Sequence, residues 1–333
     1  MRAFVTGTTG LLGSNLTRAL LLGGYEVRGL VRSKEKAARV FKDTAGVEFV
    51  AGDMNNISGF APALAGCDVL FHTAAYFREY YQPGDHKGTL EKINVQGTID
   101  LLIAAEKYGV SKAIHTSSSG VIGNKANGGP GDESCAPDDH ASSNLYFASK
   151  VSAELAIGRF LKERALPVVM ILPGWMWGPG DAAPTSSGQL VLDFLKQKLP
   201  GVVDGGASVV DARDVASAMV TLAGKGRPGE RYILGGPYLD LARILGVLQK
   251  VTGVAGPTRQ IPYGVSLVVG FVLQNWARLT GKSALVTVEG IKTIHAKKAV
   301  DSAKAVRELA ATFRPFEETV QDEVEWFRVN GYV

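Results

Sequence analysis

Tyr146 and Lys150 stand four residues apart in the helical-looking stretch Tyr146-Phe147-Ala148-Ser149-Lys150. That spacing puts a phenol and an ammonium on one helical face, a pair suited to proton transfer. Upstream, Thr116-Ser117-Ser118 supplies hydroxyls that can sit beside such a pair. A second chemical signal lies at the N-terminus, in Ala3-Phe4-Val5-Thr6-Gly7-Thr8-Thr9-Gly10-Leu11-Leu12-Gly13. Its Gly-x-x-Gly-x-x-Gly spacing falls between an apolar strand and a helix. Gly7 allows a tight turn, Gly10 lets the backbone approach a pyrophosphate, and Gly13 lets the helix pack closely on the strand. The phosphates then meet the free N–H groups at the helix start, in the run from Thr9 through Leu11 and Leu12. Together the two signals predict a nicotinamide-dependent oxidoreductase, and neither suffices alone.

The end of the second strand discriminates between the two nicotinamide cofactors, because a carboxylate there holds the ribose 2′-hydroxyl and repels a 2′-phosphate. This chain reads Leu30-Val31-Arg32-Ser33-Lys34, and its first acid is Glu35. Arg32 can stack on adenine and bind phosphate through its guanidinium fork, which predicts a preference for NADP(H) over NAD(H). The alternative is a solvated arginine at a strand end. Asp53, followed by Met54, closes the third strand and is placed either to accept from the adenine amino group or to cap the next segment. His72-Thr73-Ala74-Ala75 ends the fourth strand in small residues that let backbone lie against a cofactor, with His72 read as a core histidine.

These residues need a frame. Short Val-, Ile- and Phe-rich runs alternate with helical patterns across the first two thirds of the chain. Strands are expected at 3–7, 26–32, 47–53, 68–75, 112–119, 167–173 and 231–235. The alternation predicts an α/β fold with a doubly wound parallel (Rossmann) sheet, joined to a smaller, mostly helical, discontinuous C-terminal substrate lobe. The Rossmann domain is expected over 1–179 with return segments 206–236 and 311–333, and the lobe over 180–205 and 237–310. Residues 123–141, rich in Gly, Asn and Pro, read as a long surface loop bordering a cleft. The apolar stretch from Ile261 to Leu279 carries Pro262, Gln274, Asn275 and Arg278, and reads as a buried or pocket-lining helix rather than a membrane span.

Of 333 residues, 46% are hydrophobic and 20% charged, with a net charge of +4, so the composition is globular and too weakly basic to indicate nucleic acid. The two cysteines, Cys67 and Cys135, have no metal-ligand spacing, so no metal is expected. Reduced thiols and the lack of a charged leader before the first strand point to a cytoplasmic protein without a membrane partner.

Taken together, Gly7, Gly10 and Gly13, the Asp53 strand end, the 72–75 run, Asn94-Val95-Gln96-Gly97-Thr98, Thr116 to Ser118, Tyr146 with Lys150, Pro173 to Asp181 and residues 210–216 resemble the extended short-chain dehydrogenase/reductases. The resemblance covers nearly the whole chain and falls in the branch of dihydroflavonol reductases, aldehyde and ketone reductases and sugar-nucleotide epimerases. It implies that Tyr146 is the general acid, that Lys150 lowers the phenol's pKa and bonds the nicotinamide ribose, and that Ser118, five residues ahead of Gly123, holds the substrate oxygen. An ammonium within about 4–6 Å lowers such a pKa by roughly 1–3 units. Pro173, Gly174, Trp175 and Met176 resemble the segment that fixes the carboxamide, and Asn94 is read as mainly structural.

Dehydratases of this family carry Asp-Glu directly after the Ser118 position, where this chain has Ser119 and Gly120. Tyr76, Phe77, Tyr80, Tyr81, Trp175, Trp177, Phe271 and Trp276 gather where substrate is expected, with Tyr76, Phe77, Ser118, Trp175 and Trp177 as its first contacts. The leading expectation is an NADPH-dependent reductase of an aldehyde or ketone, a small-molecule carbonyl substrate. A sugar epimerase of the hopanoid-associated type and a non-catalytic NADP-binding regulator are the alternatives. The resemblance also implies a homodimer through helices near 90–108 and 145–164.

Overall fold

Each of the seven apolar runs forms a strand in the computed structural model, which describes residues 1–77, 84–280 and 287–333. In chain order the strands are β1 Arg2–Thr6, β2 Glu26–Val31, β3 Val47–Ala51, β4 Val69–His72, β5 Lys112–Thr116, β6 Val168–Pro173, β7 Trp175–Trp177, β8 Val202–Val203, β9 Gly206–Asp211, β10 Arg231–Leu234, β11 Tyr238–Asp240 and β12 Gln260–Ile261. The helices are α1 Leu11–Leu22, α2 Lys34–Val40, α3 Lys87–Leu90, α4 Gly97–Lys107, α5 Asp139–Ser143, α6 Leu145–Glu163, α7 Ser186–Leu195, α8 Ala212–Lys225, α9 Leu241–Thr252, α10 Tyr263–Thr280, α11 Val288–His295, α12 Ala303–Leu309 and α13 Phe316–Val329.

Among the described residues the main sheet has seven strands in the order β10-β6-β5-β4-β1-β2-β3. All its neighbours pair in parallel. β4 and β6 are buried along their whole length, which is why they read as continuous apolar runs rather than as an alternation. The strand order reverses at β1, flanked by β2 and β4, so a crevice opens beyond their carboxyl ends. One face of the sheet is covered by residues of α1, α8 and α12, the other by α4 and α6.

The lobe has its own core, built on Trp177, Phe194, Ile244 and Leu248. Two boundaries differ from expectation. α13 places Val320, Val324 and Phe327 in this lobe core rather than returning to the Rossmann body. α12, expected in the lobe, instead sets Ala305 and Leu309 against the sheet-side core. The apolar spacing of each helix defined its inward face but not which core that face meets. The expected loop at 123–141 is clamped to the lobe: Lys298 Nζ reaches the Asp138 carboxylate and Ile122 O, and Asp301 N donates to Gly131 O. The apolar stretch 261–279 forms α10, but the helix is not buried: its outer side faces solvent.

Candidate active site

The glycine turn is set by contacts that leave no room for side chains. Gly7 has φ +68°, and a Cβ there would lie 2.7 Å from Thr73 Oγ1 and 2.8 Å from Ala74 N. A Cβ on Gly13 would lie 2.1 Å from Gly7 O. Gly10 is different: its Cβ would meet only Gly7 O at 3.3 Å, so the space beyond it is open. Gly10 is also the N-cap of α1, which has neither a capping side chain nor an acid in its first turn. Uncompensated N–H groups beside an open glycine surface fit a pyrophosphate. Leu11 and Leu12 bury their side chains in the protein, so only their backbone is available there, and Thr9 is half-buried.

Beyond β2 and β3 an open cleft of about 340 Å³ is lined by Arg32, Ala51, Gly52, Asp53, Asn56 and Gly59. It suits an adenosine moiety, with Arg32 exposed at its edge. Asp53 Oδ1 is engaged by Asn55 N and Nδ2, both at 2.8 Å, in a local turn. Met54 packs toward the core and Gly97 instead of opening onto the cleft. Thr73 donates to Thr6 O at 2.7 Å and Ala74 N donates to Thr6 Oγ1, holding the 73–75 backbone against the turn. His72 is bonded on both ring nitrogens, to Thr6 Oγ1 at 2.7 Å and Thr98 Oγ1 at 3.1 Å, and burial pulls it down to about 3.

Tyr146 enters the site because Asn144 caps α6, its Oδ1 accepting from Tyr146 N and Phe147 N. The phenol is buried with Phe77 at 4.7 Å between ring centroids and Phe147 at 5.6 Å. No hydrogen bond to its hydroxyl occurs among the described residues. Lys150, one turn on, is buried with Nζ 5.9 Å from the Tyr146 ring centroid, and it donates to Thr116 O at 2.8 Å. Here the electrostatics differ from expectation. Burial raises the Tyr146 pKa, so the phenol is held protonated, while burial lowers Lys150 to about 8. The low-dielectric surroundings outweigh an ammonium whose hydrogen bond goes to a carbonyl.

The serine run divides cleanly. Ser117 donates to Glu154 Oε1, whereas Ser118, half-buried, accepts from Gly120 N at 3.2 Å and retains its donor. Thr116 Oγ1 is buried without a partner among the described residues, an unsatisfied hydroxyl at the end of β5 beside Lys150. Asn94 lies in the π-helical segment Glu91–Gln96 that joins α3 to α4. Its side chain bonds Tyr76 N, Tyr76 O and Ser149 Oγ, tying the post-β4 loop to α6.

Several expected contacts fall elsewhere. Trp177 is fully buried in the lobe core, edge-on to Phe316 at 5.1 Å, and does not face a substrate. Trp175 is half-buried, with Nε1 donating to Ser186 Oγ. A Cβ on Gly174 would strike Ser208 O and Gly235 O, so its smallness serves packing between β9 and β10; Pro173 is buried, and Met176 packs on the sheet-side core. Phe271 and Trp276 are exposed. Tyr76 and Phe77 do pack beside Tyr146. Tyr80 and Tyr81 lie outside the described residues.

Glu154 was missed. It continues the Tyr146–Lys150 face of α6 by one more turn, pairs with Arg231 at 3.2 Å and raises the Lys150 pKa against burial. Its i, i+4 spacing from Lys150 was readable; its burial was not. Asn144 was missed as well, though an asparagine just ahead of a helix is a recognisable cap.

A fingerprint turn, a switch-point crevice and a Tyr–Lys pair on one helix now stand in one site, and the family model for the NAD dependent epimerase/dehydratase family matches residues 3–235. The chain belongs to that family. It is an extended short-chain dehydrogenase/reductase and an NAD(P)-dependent oxidoreductase. Among its relatives, a Synechocystis protein provisionally named a dihydroflavonol 4-reductase is 32% identical over 99% of this chain and 95% of its own length. Sterol demethylase protein B of Methylococcus capsulatus is 30% identical over the full length of both. The crystal structure of gox2253 superposes with a TM-score of 0.83 at 32% identity, covering 99% of each chain. As in other members of the epimerase/dehydratase family, the cofactor bound is a nicotinamide dinucleotide.

Proposed function

We propose that this enzyme reduces a ketone or aldehyde on an apolar small molecule, using NADPH. The observation that carries the reading is Tyr146, a buried phenol held protonated between Phe77 and Phe147 with Lys150 one turn away. A bound reduced nicotinamide supplies a hydride to the carbonyl carbon. Tyr146 gives its phenolic proton to the carbonyl oxygen as negative charge develops there, and Ser118 hydrogen-bonds the same oxygen. Lys150, anchored on Thr116 O, presents a positive charge behind the phenol and stabilises the phenolate left by proton transfer. The Gly7–Gly13 turn and the first amides of α1 hold the pyrophosphate, and Thr73 to Ala75 and Pro173 to Met176 border the nicotinamide end. Arg32 binds the 2′-phosphate, which underlies the preference for NADP(H).

Elimination of water is disfavoured sterically as well as chemically. A Cβ on Gly120 would lie 2.2 Å from the Phe147 ring, so an acid cannot occupy this position without displacing Phe147. The aromatic wall and a relative whose name refers to a sterol support an apolar substrate over a nucleotide sugar. A homodimer through α4 and α6 accords with the exposed Leu155 on α6. The test is titration with NADPH and NADH, then cofactor oxidation against aromatic and aliphatic aldehydes, ketones and a dihydroflavonol. Turnover with NADPH is expected. Retention of an oxidised cofactor without net consumption contradicts the reading in favour of an epimerase.

A further inference from the structure

α10 turns its small side chains inward and its large apolar ones outward. On the inner face Ser266 and Ala277 are buried, and a Cβ on Gly270 would come within 2.7 Å of Ile291 Cδ1 on α11. On the outer face Val265, Val268, Val269, Phe271, Val272 and Trp276 are 37–65% exposed. A helix on a water-facing surface has the opposite arrangement. These six side chains make up much of the large apolar surface that the described residues expose, so they form one patch rather than scattered exceptions.

The charges around the helix say what covers it. Residues 260–277 contain no charged side chain, and Arg259 and Arg278 bracket them. Residues 251–300 hold six lysines and arginines against one carboxylate, Glu289, in a chain whose net charge is only +4. The rest of the molecule is therefore slightly negative. Lys292 pairs with Glu289, Lys297 with Asp204 and Lys298 with Asp138, while Arg259 and Lys292 are exposed. Setting Glu289, Asp204 and Asp138 against the six cations still leaves a net charge of +3 here, so an anionic surface is attracted and a second copy of this region is repelled. At 18 residues α10 is about 27 Å long, and no helix among the described residues is long and apolar enough to cross a membrane.

We propose that the outer face of α10 docks the protein on an anionic lipid bilayer. The helix lies in the plane of the interface, with Val265, Val268, Phe271 and Val272 at the acyl boundary and Arg259 and Lys292 among the headgroups. This goes beyond the reaction.

The experiment is flotation of the full-length protein with vesicles of phosphatidylcholine alone or mixed with phosphatidylglycerol, at low and high salt. The wild type should float with the mixed vesicles and far less with the neutral ones, and high salt should weaken binding. The double variant Val268→Glu/Val272→Glu should bind about tenfold more weakly or worse, since it puts two carboxylates at the acyl boundary. Its NADPH affinity and its mass by light scattering should match the wild type. Should that variant fail to fold, the charge reversal Arg259→Glu/Lys292→Glu, which leaves the apolar face intact, should lower binding to mixed vesicles alone. A wild type that floats with neither vesicle, or binding unchanged in both variants, overturns the proposal. So does a vesicle-free dimer that the valine substitutions dissociate, which would assign the face to a second copy.

Discussion

Replacing Glu154 with glutamine should move the pH dependence of catalysis. In the wild type, burial lowers Lys150 to about 8 while Glu154 opposes the shift. Glutamine keeps the shape and can still accept from Ser117, but it removes the negative charge. Side chains four apart on a helix lie about 5–6 Å apart at Cβ. Two unit charges at about 6 Å in an effective dielectric of about 20 interact by about 3 kcal/mol, or about 2 pH units. Partial screening through Arg231, which sits 3.2 Å from Glu154, reduces the effect. Carbonyl reduction needs the charged form of Lys150, so the wild-type rate should fall as pH rises through the Lys150 pKa. In Glu154→Gln that fall should begin about 1–2 pH units lower. The assay is the single-turnover rate of NADPH oxidation across pH, with NADPH affinity measured in parallel. An unchanged high-pH limb, or one moved upward, refutes the electrostatic coupling. A uniform loss of rate at every pH would mean that Glu154 serves packing alone.

Other substitutions probe the cofactor cleft and the lobe. Arg32→Ala should weaken NADPH binding by about tenfold or more, the loss of a charge-assisted contact of about 1.5–3 kcal/mol, and leave NADH binding nearly unchanged in titrations monitored by fluorescence. Gly13→Ala drives a Cβ to 2.1 Å from Gly7 O and should abolish dinucleotide binding and lower thermal stability in calorimetry. Glu323 is fully buried beneath Gly178 N, and burial, reinforced by Asp181 and Asp211, raises its carboxyl well above the usual range. An acid with a raised folded-state pKa keeps its proton where the unfolded chain has lost it, so stability falls as pH rises above the unfolded value. Glu323→Gln should flatten that dependence and raise Tm at neutral pH by about 2–4 °C per kcal/mol recovered, read by melting curves from pH 5 upward.

The sheet was legible because strands buried on both faces appear as unbroken Val, Ile and Phe runs, and all seven runs became paired strands. The glycine turn and the Tyr146–Lys150 pair were legible because their function depends on spacing within one local element. What was not legible depends on tertiary neighbours. Trp175 and Trp177 share one face of a three-residue strand, their rings 4.8 Å apart, yet only Trp177 meets Phe316 in the lobe core and is fully buried, while Trp175 stays half-buried. The apolar spacing of Val320, Val324 and Phe327 marks a face of α13, while the choice of the lobe core as its partner comes from the path of the chain. The Tyr146 shift could not be read from the sequence, since it turns on how deeply α6 is buried rather than on Lys150 alone.

In the proposed reaction Tyr146 protonates a carbonyl during net reduction by NADPH. The most direct measurement is single-turnover oxidation of bound NADPH by an aryl ketone in the wild type and in Tyr146→Phe. The wild type should consume NADPH and yield the alcohol, and the variant should react about 10²–10⁴-fold more slowly with cofactor affinity unchanged. A variant that retains nearly the wild-type rate, or a wild type that returns no alcohol from any carbonyl tested, would contradict the account.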